Sequence, residues 1–437
     1  MTVAAPSSDR SLASDRLHSL DALRAFALVL GIFFHGAAGY IENFPAQLWP
    51  MREPPSATLG AFFFVSHMFR MSLFYLLAGF FGRMLLERRG TGAFVRDRAM
   101  RILLPLVIGI PVVLITISLF AVLGSLLAGT NLAVLQAAVQ PPPRVEGQPA
   151  PFPWAHLWFL YYLVLFYGLA LGTRTVMRVT DRGGRLRAGL DALLRFVLAG
   201  PWGAGLIGVA LAAYFYNLEG WPSWTGLPAP LSLAPYPAPL LGYGTAFGVG
   251  WLAHRQPDQL LALERRWLPF AIFAVLLTVV SYSIAGSTPR FEPYLKGRPL
   301  LVYSVSYLVG VWCWIFVLIG LAVRYLSNMS PVRRYLADAS YWMYLMHLSV
   351  LAFFAAWLNP LPWHWTVKYP LQVAGTIAVL LVSYHYVVRS TFIGGVLNGR
   401  RYPRHPVPVV PSGTAHAGVY APVSTVAAAD RTHGDQK

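Results

Sequence analysis

Long apolar stretches alternate with short polar segments along this chain of 437 residues. Each stretch is about 20 residues long, the length that an α-helix needs to cross the hydrocarbon core of a bilayer. Ten such stretches occur, at residues 21–41, 60–86, 102–127, 156–178, 200–217, 236–254, 267–286, 302–324, 340–358 and 368–389. The pattern predicts an all-α polytopic membrane protein, a bundle of about ten transmembrane helices.

The segments outside these stretches leave little room for a folded soluble domain. The chain divides into a short N-terminal segment (1–19), a transmembrane domain (20–399) and a C-terminal tail (400–437). The tail is rich in Pro, Ala and Ser and is predicted to be disordered. The loop 128–155 contains six prolines, which favour an extended, turn-rich chain. Catalysis or transport must therefore take place inside the bundle.

Lys and Arg residues fall mostly on one side of the predicted topology. With the N-terminus inside, cytoplasmic segments contain twenty-five of them and extracytoplasmic segments contain six. Cytoplasmic loops of membrane proteins are enriched in these residues, so the bias predicts that both termini are cytoplasmic. The net charge of +17 is then mainly an orientation signal, and no nucleic-acid partner is expected.

Composition supports the membrane assignment and excludes several classes of protein. Hydrophobic residues make up 56% of the chain and charged residues 12%, whereas soluble proteins contain about 25% charged residues. Cys313 is the only cysteine, so an intrachain disulfide is excluded. The motifs of zinc proteases, nucleotide hydrolases, serine hydrolases and dithiol redox enzymes are absent from the sequence. No metal site is expected.

The first apolar stretch contains ionisable residues, which are costly inside a membrane and therefore candidates for function. Arg24 and His35 are eleven residues apart, which places them on one helix face and about 16 Å apart along its axis. Asp21 lies one turn before Arg24. The His35 imidazole can act as a general base. The alternative is a buried histidine that only forms a hydrogen bond to a neighbouring helix.

The second stretch runs in the opposite direction and contains His67 and Arg70. Helix rise places Arg70 roughly 24 Å and His35 about 21 Å from the cytoplasmic end, so the two can share a polar cavity. There Arg70 needs a carboxylate, carbonyl groups, water or an anionic substrate. Otherwise it extends to the outer headgroups. His67 either belongs to the site or forms a structural hydrogen bond.

Arg98 and Arg101 lie three residues apart in the predicted cytoplasmic loop 87–101, directly before the third stretch. At this spacing they are neighbours on one helix face, and paired guanidinium groups are suited to binding phosphates bidentately. A nucleotide-bearing donor such as coenzyme A would present such phosphates. The alternative is that both are ordinary orientation charges.

His156 and His347 are two further polar positions, at the outer end of the fourth stretch and in the ninth stretch. His347 lies about 10 Å from the start of its helix, in the inner half of the membrane. Both are candidate binding or supporting residues. For His347 a purely structural hydrogen bond is the alternative.

Together these motifs resemble the membrane acyltransferase-3 family. The resemblance rests on five motifs that occur in this order over residues 20–390: Arg24-x10-His35, His67-Met-Phe-Arg70, Arg98-x-x-Arg101, His156-Leu-Trp-Phe-Leu and Tyr344-Leu-Met-His347. Within the family the motifs are most similar to those of the subgroup that succinylates periplasmic glucans.

The resemblance implies a multi-pass O-acyltransferase of the bacterial inner membrane. A succinyl or acetyl group would move from a cytoplasmic acyl-CoA, a co-substrate rather than a bound cofactor, to a hydroxyl of an extracytoplasmic glycan, such as a periplasmic glucan. His35 would be the general base or a transient acyl carrier, with Arg24 as its catalytic partner. Arg98 and Arg101 would bind the donor. The supporting residues would be Asp21, His67, Arg70, His156 and His347.

Transport is the main alternative to acyl transfer. A glycolipid or polysaccharide-precursor transporter or flippase would use Arg70 and His35 as a substrate relay and would not need the pair Arg98 and Arg101. Such transporters typically contain an inverted repeat, and no internal repeat is found in the sequence. A purely structural membrane protein would have no reason to keep histidine and arginine at one depth in adjacent helices. The enzyme is therefore the favoured interpretation; the sequence predicts no oligomeric state.

Overall fold

Every predicted apolar stretch is helical in the computed structural model of the chain. The structure describes residues 8–45, 49, 51–129, 152–221, 223–328, 330–399 and 401–402, except for the side chains of 8–17 and 223. Most of the proline-rich loop and of the tail, for which an extended or disordered chain is predicted, lies outside the described residues, as does the start of the N-terminal segment.

Thirteen α-helices form the described part of the chain. They are α1 (Ser8–Ala37), α2 (Ala57–Arg98), α3 (Leu104–Leu127), α4 (Trp158–Thr180), α5 (Arg185–Ala199), α6 (Gly203–Tyr216), α7 (Pro237–Ala253), α8 (Pro257–Leu261), α9 (Trp267–Ala285), α10 (Gly297–Tyr325), α11 (Pro331–Leu358), α12 (Trp365–Ser383) and α13 (Phe392–Asn398). No β-strand occurs among the described residues. The all-α prediction is confirmed.

A single residue, Gly90, interrupts the helix between the second and third predicted stretches. Its φ of 76° and ψ of 174° are not helical, and a positive φ favours glycine. The segment 87–101, predicted as a cytoplasmic loop, is helical on both sides of Gly90. The helix continues through a π-helical turn, Ala99–Leu103, into α3. Arg98 and Arg101 are therefore held on a continuous helix rather than on a loop.

Helix length sets bounds on the number of membrane crossings. Seven helical segments among the described residues are long and apolar enough to cross a bilayer, or eight if α5 and α6, bent by 111°, form one crossing. One of the seven is the 71-residue segment Ala57–Leu127, although Gly90 interrupts it and a crossing needs only about 20 residues. The helices α6 and α7 have only 14 and 17 residues. Ten crossings with both termini cytoplasmic stays a prediction.

The outward faces of the bundle are suited to lipid. Large apolar side chains on α3 and α9 are more than half exposed, including Val107, Ile115, Leu119, Phe273 and Val279. Soluble proteins rarely expose contiguous apolar patches of this kind, whereas the hydrocarbon of a bilayer covers them. These surfaces and the long apolar helices make the chain a multi-pass membrane protein.

Two glycines bring α2 and α7 into backbone contact inside the bundle. A Cβ atom on Gly79 would collide with the carbonyl oxygen of Phe247, and one on Gly250 would collide with that of Leu76. Small residues at helix crossings permit this close approach in membrane proteins. The contact fixes the position of α2, the helix that carries Arg70.

A buried ion pair ties the loop after α1 to the start of α12. Nζ of Lys368 lies 2.8 Å from Oε2 of Glu53, and it also donates a hydrogen bond of 2.9 Å to the carbonyl oxygen of Asn359. The side chains of Lys368 and Glu53 are only 3% and 8% exposed. The sequence predicts Lys368 only as one of the six extracytoplasmic charges. The structure shows that Lys368 is also buried inside the bundle, where it pairs with Glu53.

Candidate active site

Three histidines from different parts of the chain meet inside the bundle. His35 lies on α1, His156 two residues before α4, and His347 on α11. Nε2 of His347 is 2.9 Å from Nδ1 of His35. The ring centroid of His156 lies 4.6 Å from that of His347 and 6.5 Å from that of His35. The structure thus brings together three histidines that belong to three separate sequence motifs.

The histidines line a small cavity. Arg70 of α2 is part of the same wall, as the common depth of Arg70 and His35 predicts. The rest of the wall consists of Leu28, Gly31, Met71, Phe74, Trp158, Phe159 and Tyr344. A mainly apolar cavity with a few convergent polar groups is the usual form of a small-molecule site.

Arg70 is buried, and no carboxylate among the described residues compensates its charge. The residue is 4% exposed, and its Nε and Nη1 have no hydrogen-bond partner in the described part of the chain. Its guanidinium carbon lies 3.8 Å from the centroid of the Phe34 ring, a cation–π contact that offsets part of the cost of burial. Arg70 therefore faces the cavity instead of extending to the outer headgroups, and its charge is available to an anion there.

His67 lies beside this cavity but is not among the residues that line it. Its ring faces those of Phe34 and Phe63, at centroid distances of 5.7 and 6.2 Å. On α2, His67 lies three residues before Arg70, and the Phe34 ring contacts both side chains. The geometry gives His67 a packing role next to the site rather than a place in its wall.

One face of α1 leads from Arg24 to the cavity. Arg24, Leu28, Gly31 and His35 follow one another at intervals of four, three and four residues, which align on an α-helix. The last three of them line the cavity. The predicted common face of Arg24 and His35 is therefore the face that turns toward the site.

Arg24 begins this face, at the end that the topology predicts to be cytoplasmic. Its Nη2 lies 3.2 Å from Oδ1 of Asp21, one turn earlier, and both side chains are 43% exposed. Arg24 is also within electrostatic range of Arg101. Asp21 and Arg24 thus form a half-exposed ion pair at a distance from the histidines.

Arg98 and Arg101 share one carboxylate, that of Asp97. Nη2 of Arg98 lies 2.8 Å from Oδ2 of Asp97, and Nε of Arg101 lies 3.3 Å from Oδ1. Arg98 also donates a hydrogen bond of 3.4 Å to the Tyr167 hydroxyl on α4. The Tyr341 hydroxyl on α11 donates one of 2.5 Å to the carbonyl oxygen of Arg101. Contacts with Asp97 and with two further helices, α4 and α11, hold the two arginines in place. Two guanidinium groups around one carboxylate leave a net positive charge.

The described residues include no group of three His, Cys, Asp or Glu side chains arranged to hold a metal ion. His35 and His347 instead use facing nitrogens for a hydrogen bond to each other. Their nitrogens therefore do not converge on a common point. The arrangement is suited to proton transfer rather than to metal binding.

Three contributions to the site were not found from the sequence. Asp97 precedes Arg98 directly and Arg101 by four residues, a spacing that could have revealed it. Tyr344 contributes its backbone carbonyl oxygen to His347, and no side-chain pattern indicates a backbone group. Tyr167 is 69 residues from its partner Arg98, a contact that depends on the tertiary fold.

Comparison with known proteins agrees with this geometry. Residues 17–385 match the acyltransferase-3 family, which is described as an acyltransferase domain. The chain belongs to this family. It is therefore an acyltransferase, and the family that the motifs resemble is confirmed.

Curated relatives match over nearly their whole length. Glucans biosynthesis protein C of Salmonella paratyphi B is 24% identical over 394 residues, which cover 89% of this chain and 96% of the relative. The protein of the same name from Salmonella schwarzengrund is 25% identical over 397 residues with the same coverage. That from Salmonella heidelberg is 24% identical over 394 residues, again covering 89% and 96%. No solved structure matches the chain.

Proposed function

We propose that this acyltransferase moves an acyl group from a cytoplasmic acyl-CoA to a hydroxyl of an extracytoplasmic glycan, across the bacterial inner membrane. The observation that supports this route is the buried cavity with His35 and Arg70 in its wall. One face of α1 connects it with Arg24 at the cytoplasmic end, about 16 Å away along the helix axis. A thioester arm entering from the cytoplasm would follow this face.

The phosphates of the donor would bind at Arg98 and Arg101. Asp97 offsets one of the two guanidinium charges, and Arg24 adds a further positive charge nearby. Arginine and phosphate form strong, directional hydrogen bonds. Acyl-CoA would enter and leave as a co-substrate in every cycle.

His35 would act on the acceptor hydroxyl inside the cavity. As a general base it takes the hydroxyl proton while the oxygen attacks the thioester carbonyl, and the thiolate of coenzyme A leaves. As an acyl carrier it would attack the thioester first and pass the acyl group on. Both routes place the reacting atoms in the same cavity, where aromatic side chains limit access of water.

Arg70 supports an acyl group that carries a free carboxylate, such as succinyl. Its guanidinium is buried in the wall that also contains His35, and no carboxylate pairs with it in the described chain. The free carboxylate of a succinyl group would accept a bidentate pair of hydrogen bonds from it. An acetyl group would leave the charge uncompensated, which is costly in an apolar site.

The acceptor is proposed to be a glucan. The support is the name of the relatives, glucans biosynthesis protein C. These proteins match this chain over most of its length. In the predicted topology His156 stands at the outer end of α4, so a glycan would reach the cavity past this residue.

Mass spectrometry of envelope glycans from a deletion strain tests this function. The glycans should lose the mass of one acyl group, and the wild-type gene should restore it. The variant His35→Ala should not restore it at equal abundance in the membrane. Unchanged glycan masses in the deletion strain would contradict the proposal. Accumulation of an untransported precursor in the cytoplasm would favour the transporter instead.

A further inference from the structure

Both hydrogen-bond contacts of His35 with described residues use the same ring nitrogen. Nδ1 lies 2.9 Å from the carbonyl oxygen of Gly31, four residues earlier on α1. It also lies 2.9 Å from Nε2 of His347 on α11. The other nitrogen, Nε2, is left free for the cavity that His35 lines.

Two backbone carbonyls determine where the hydrogens lie on this pair of rings. A carbonyl oxygen only accepts hydrogen bonds, so Nδ1 of His347, 2.7 Å from the carbonyl oxygen of Tyr344, must donate. In the neutral ring Nε2 of His347 is then an acceptor. Nδ1 of His35 must likewise donate to Gly31, and the same hydrogen serves His347. Nε2 of His35 therefore has a lone pair and no hydrogen.

We propose that His347 is the positioning residue of His35. By accepting a hydrogen bond from Nδ1–H, it holds the ring in the tautomer whose basic nitrogen faces the cavity. This proposal rests on the proposed acyl transfer and adds how its base is prepared. A base oriented by a third group is the recurring arrangement of sites that activate a hydroxyl.

The transfer step balances with these two residues. The proton of the acceptor hydroxyl moves to Nε2 of His35, and the hydroxyl oxygen forms a bond to the thioester carbon. The carbon–sulfur bond then breaks, and its electron pair leaves with the thiolate of coenzyme A, which takes the proton from His35. While His35 is positively charged, its Nδ1–H donates a stronger, charge-assisted hydrogen bond to His347.

His156 lies close to both rings but lacks this connection. No ring nitrogen of His156 takes part in the hydrogen bonds that join His35, His347 and the two carbonyl groups, and its ring is inclined by 67° to that of His347. Its backbone carbonyl accepts a hydrogen bond of 3.0 Å from the hydroxyl of Tyr344. His156→Leu is therefore a matched control for the tautomer of His35.

A pair of substitutions at His347 separates positioning from packing. His347→Gln keeps an acceptor oxygen near the place of Nε2, whereas His347→Leu fills the space without an acceptor. We expect His347→Leu to lower kcat about 100-fold, within the range for loss of general-base catalysis, while the KM for acyl-CoA changes less than about twofold. His347→Gln should recover at least about tenfold of that loss. Equal kcat values for the two variants would overturn the proposal.

Nitrogen NMR of histidine-labelled protein in bilayers tests the tautomer without any turnover. The His35 signals are identified by their loss in His35→Asn. In wild type and in His156→Leu, His35 should have a protonated Nδ1 and a bare Nε2. A hydrogen on Nε2 of wild-type His35 would overturn the proposal. If wild type transfers no acyl group at all, the proposed function fails, and the tautomer result still stands or falls separately.

Discussion

The Arg70 guanidinium is buried, and its charge faces the Phe34 ring and the cavity. A charge held this way is costly unless a ligand pairs with it. Substitution of Arg70 is therefore the most direct way to learn which acyl group the site recognises.

Substitution of Arg70 should separate recognition of the substrate from stability. Arg70→Lys keeps the charge but loses the planar fork that binds a carboxylate bidentately, so transfer of succinyl should fall about tenfold or more. Arg70→Met should fold as well as wild type, because it removes a buried charge that has no carboxylate partner. Succinyl and acetyl transfer, measured beside thermal unfolding of both purified variants, check this. Full activity of both variants would remove Arg70 from the site.

Residues of the site could be predicted from the sequence where they share a helix or a depth. The spacing of Arg24 and His35 gave their common face, and counting helix rise put Arg70 level with His35. The contact between His35 and His347 joins residues 312 positions apart. No local pattern encodes such a contact, since it arises from the packing of α1 against α11.

At the scale of single elements, the helical segment that follows Gly90 is the main departure from expectation. A loop would have left Arg98 and Arg101 mobile, but the helix and the π-helical turn hold them next to Asp97, Tyr167 and Tyr341. The spacing of Arg98 and Arg101 indicated a shared helix face, but the contacts with Tyr167 and Tyr341 depend on the tertiary fold and could not be predicted.

The double variant Arg98→Ala with Arg101→Ala should weaken donor binding. Loss of two charge-assisted contacts to phosphate is expected to raise the Kd for coenzyme A about tenfold or more, with little effect on the affinity for the glycan. Titration of purified protein in detergent measures this. Arg96→Ala is the matched control, since Arg96 is exposed on the same helix. If the double variant binds coenzyme A like the control, the pair only contributes orientation charge.

The ion pair of Lys368 and Glu53 should stabilise the outer end of the bundle. Lys368→Met leaves a buried carboxylate without its partner and is expected to cost about 3–5 kcal/mol of unfolding free energy. The double variant Glu53→Gln with Lys368→Met should recover most of this loss, because no buried charge remains. Thermal unfolding of the two variants beside wild type measures the difference. A single variant as stable as wild type would show that the pair is dispensable.

At the scale of the whole molecule, the sequence predicted the helices well, because a bilayer demands long apolar stretches and few other structures contain them. The number of membrane crossings was harder to predict from the sequence. The helices α6 and α7 are too short to qualify by length, and α5 joins α6 at a sharp bend. The orientation of the chain in the membrane was predicted from the distribution of Lys and Arg residues. The geometry of the helices alone does not determine it.

Labelling of single cysteines tests the orientation. Cys313 is buried and can be replaced by alanine to give a cysteine-free background. In that background, Arg182→Cys should react with a membrane-impermeant maleimide only from the cytoplasmic side, and Arg290→Cys only from the outside, since both positions are exposed and the bias in basic residues places them on opposite sides. Labelling of both from the same side would contradict the predicted topology.

Transfer across the membrane is the central claim, and sealed vesicles containing the purified protein test it most directly. Labelled succinyl-CoA is added outside, glucan is trapped inside, and molecules inserted with the cytoplasmic face outward can act. We expect label on the trapped glucan with wild type, and none with an equally folded His35→Ala variant. Labelling only when donor and glucan are on the same side, or equal labelling by His35→Ala, would contradict it.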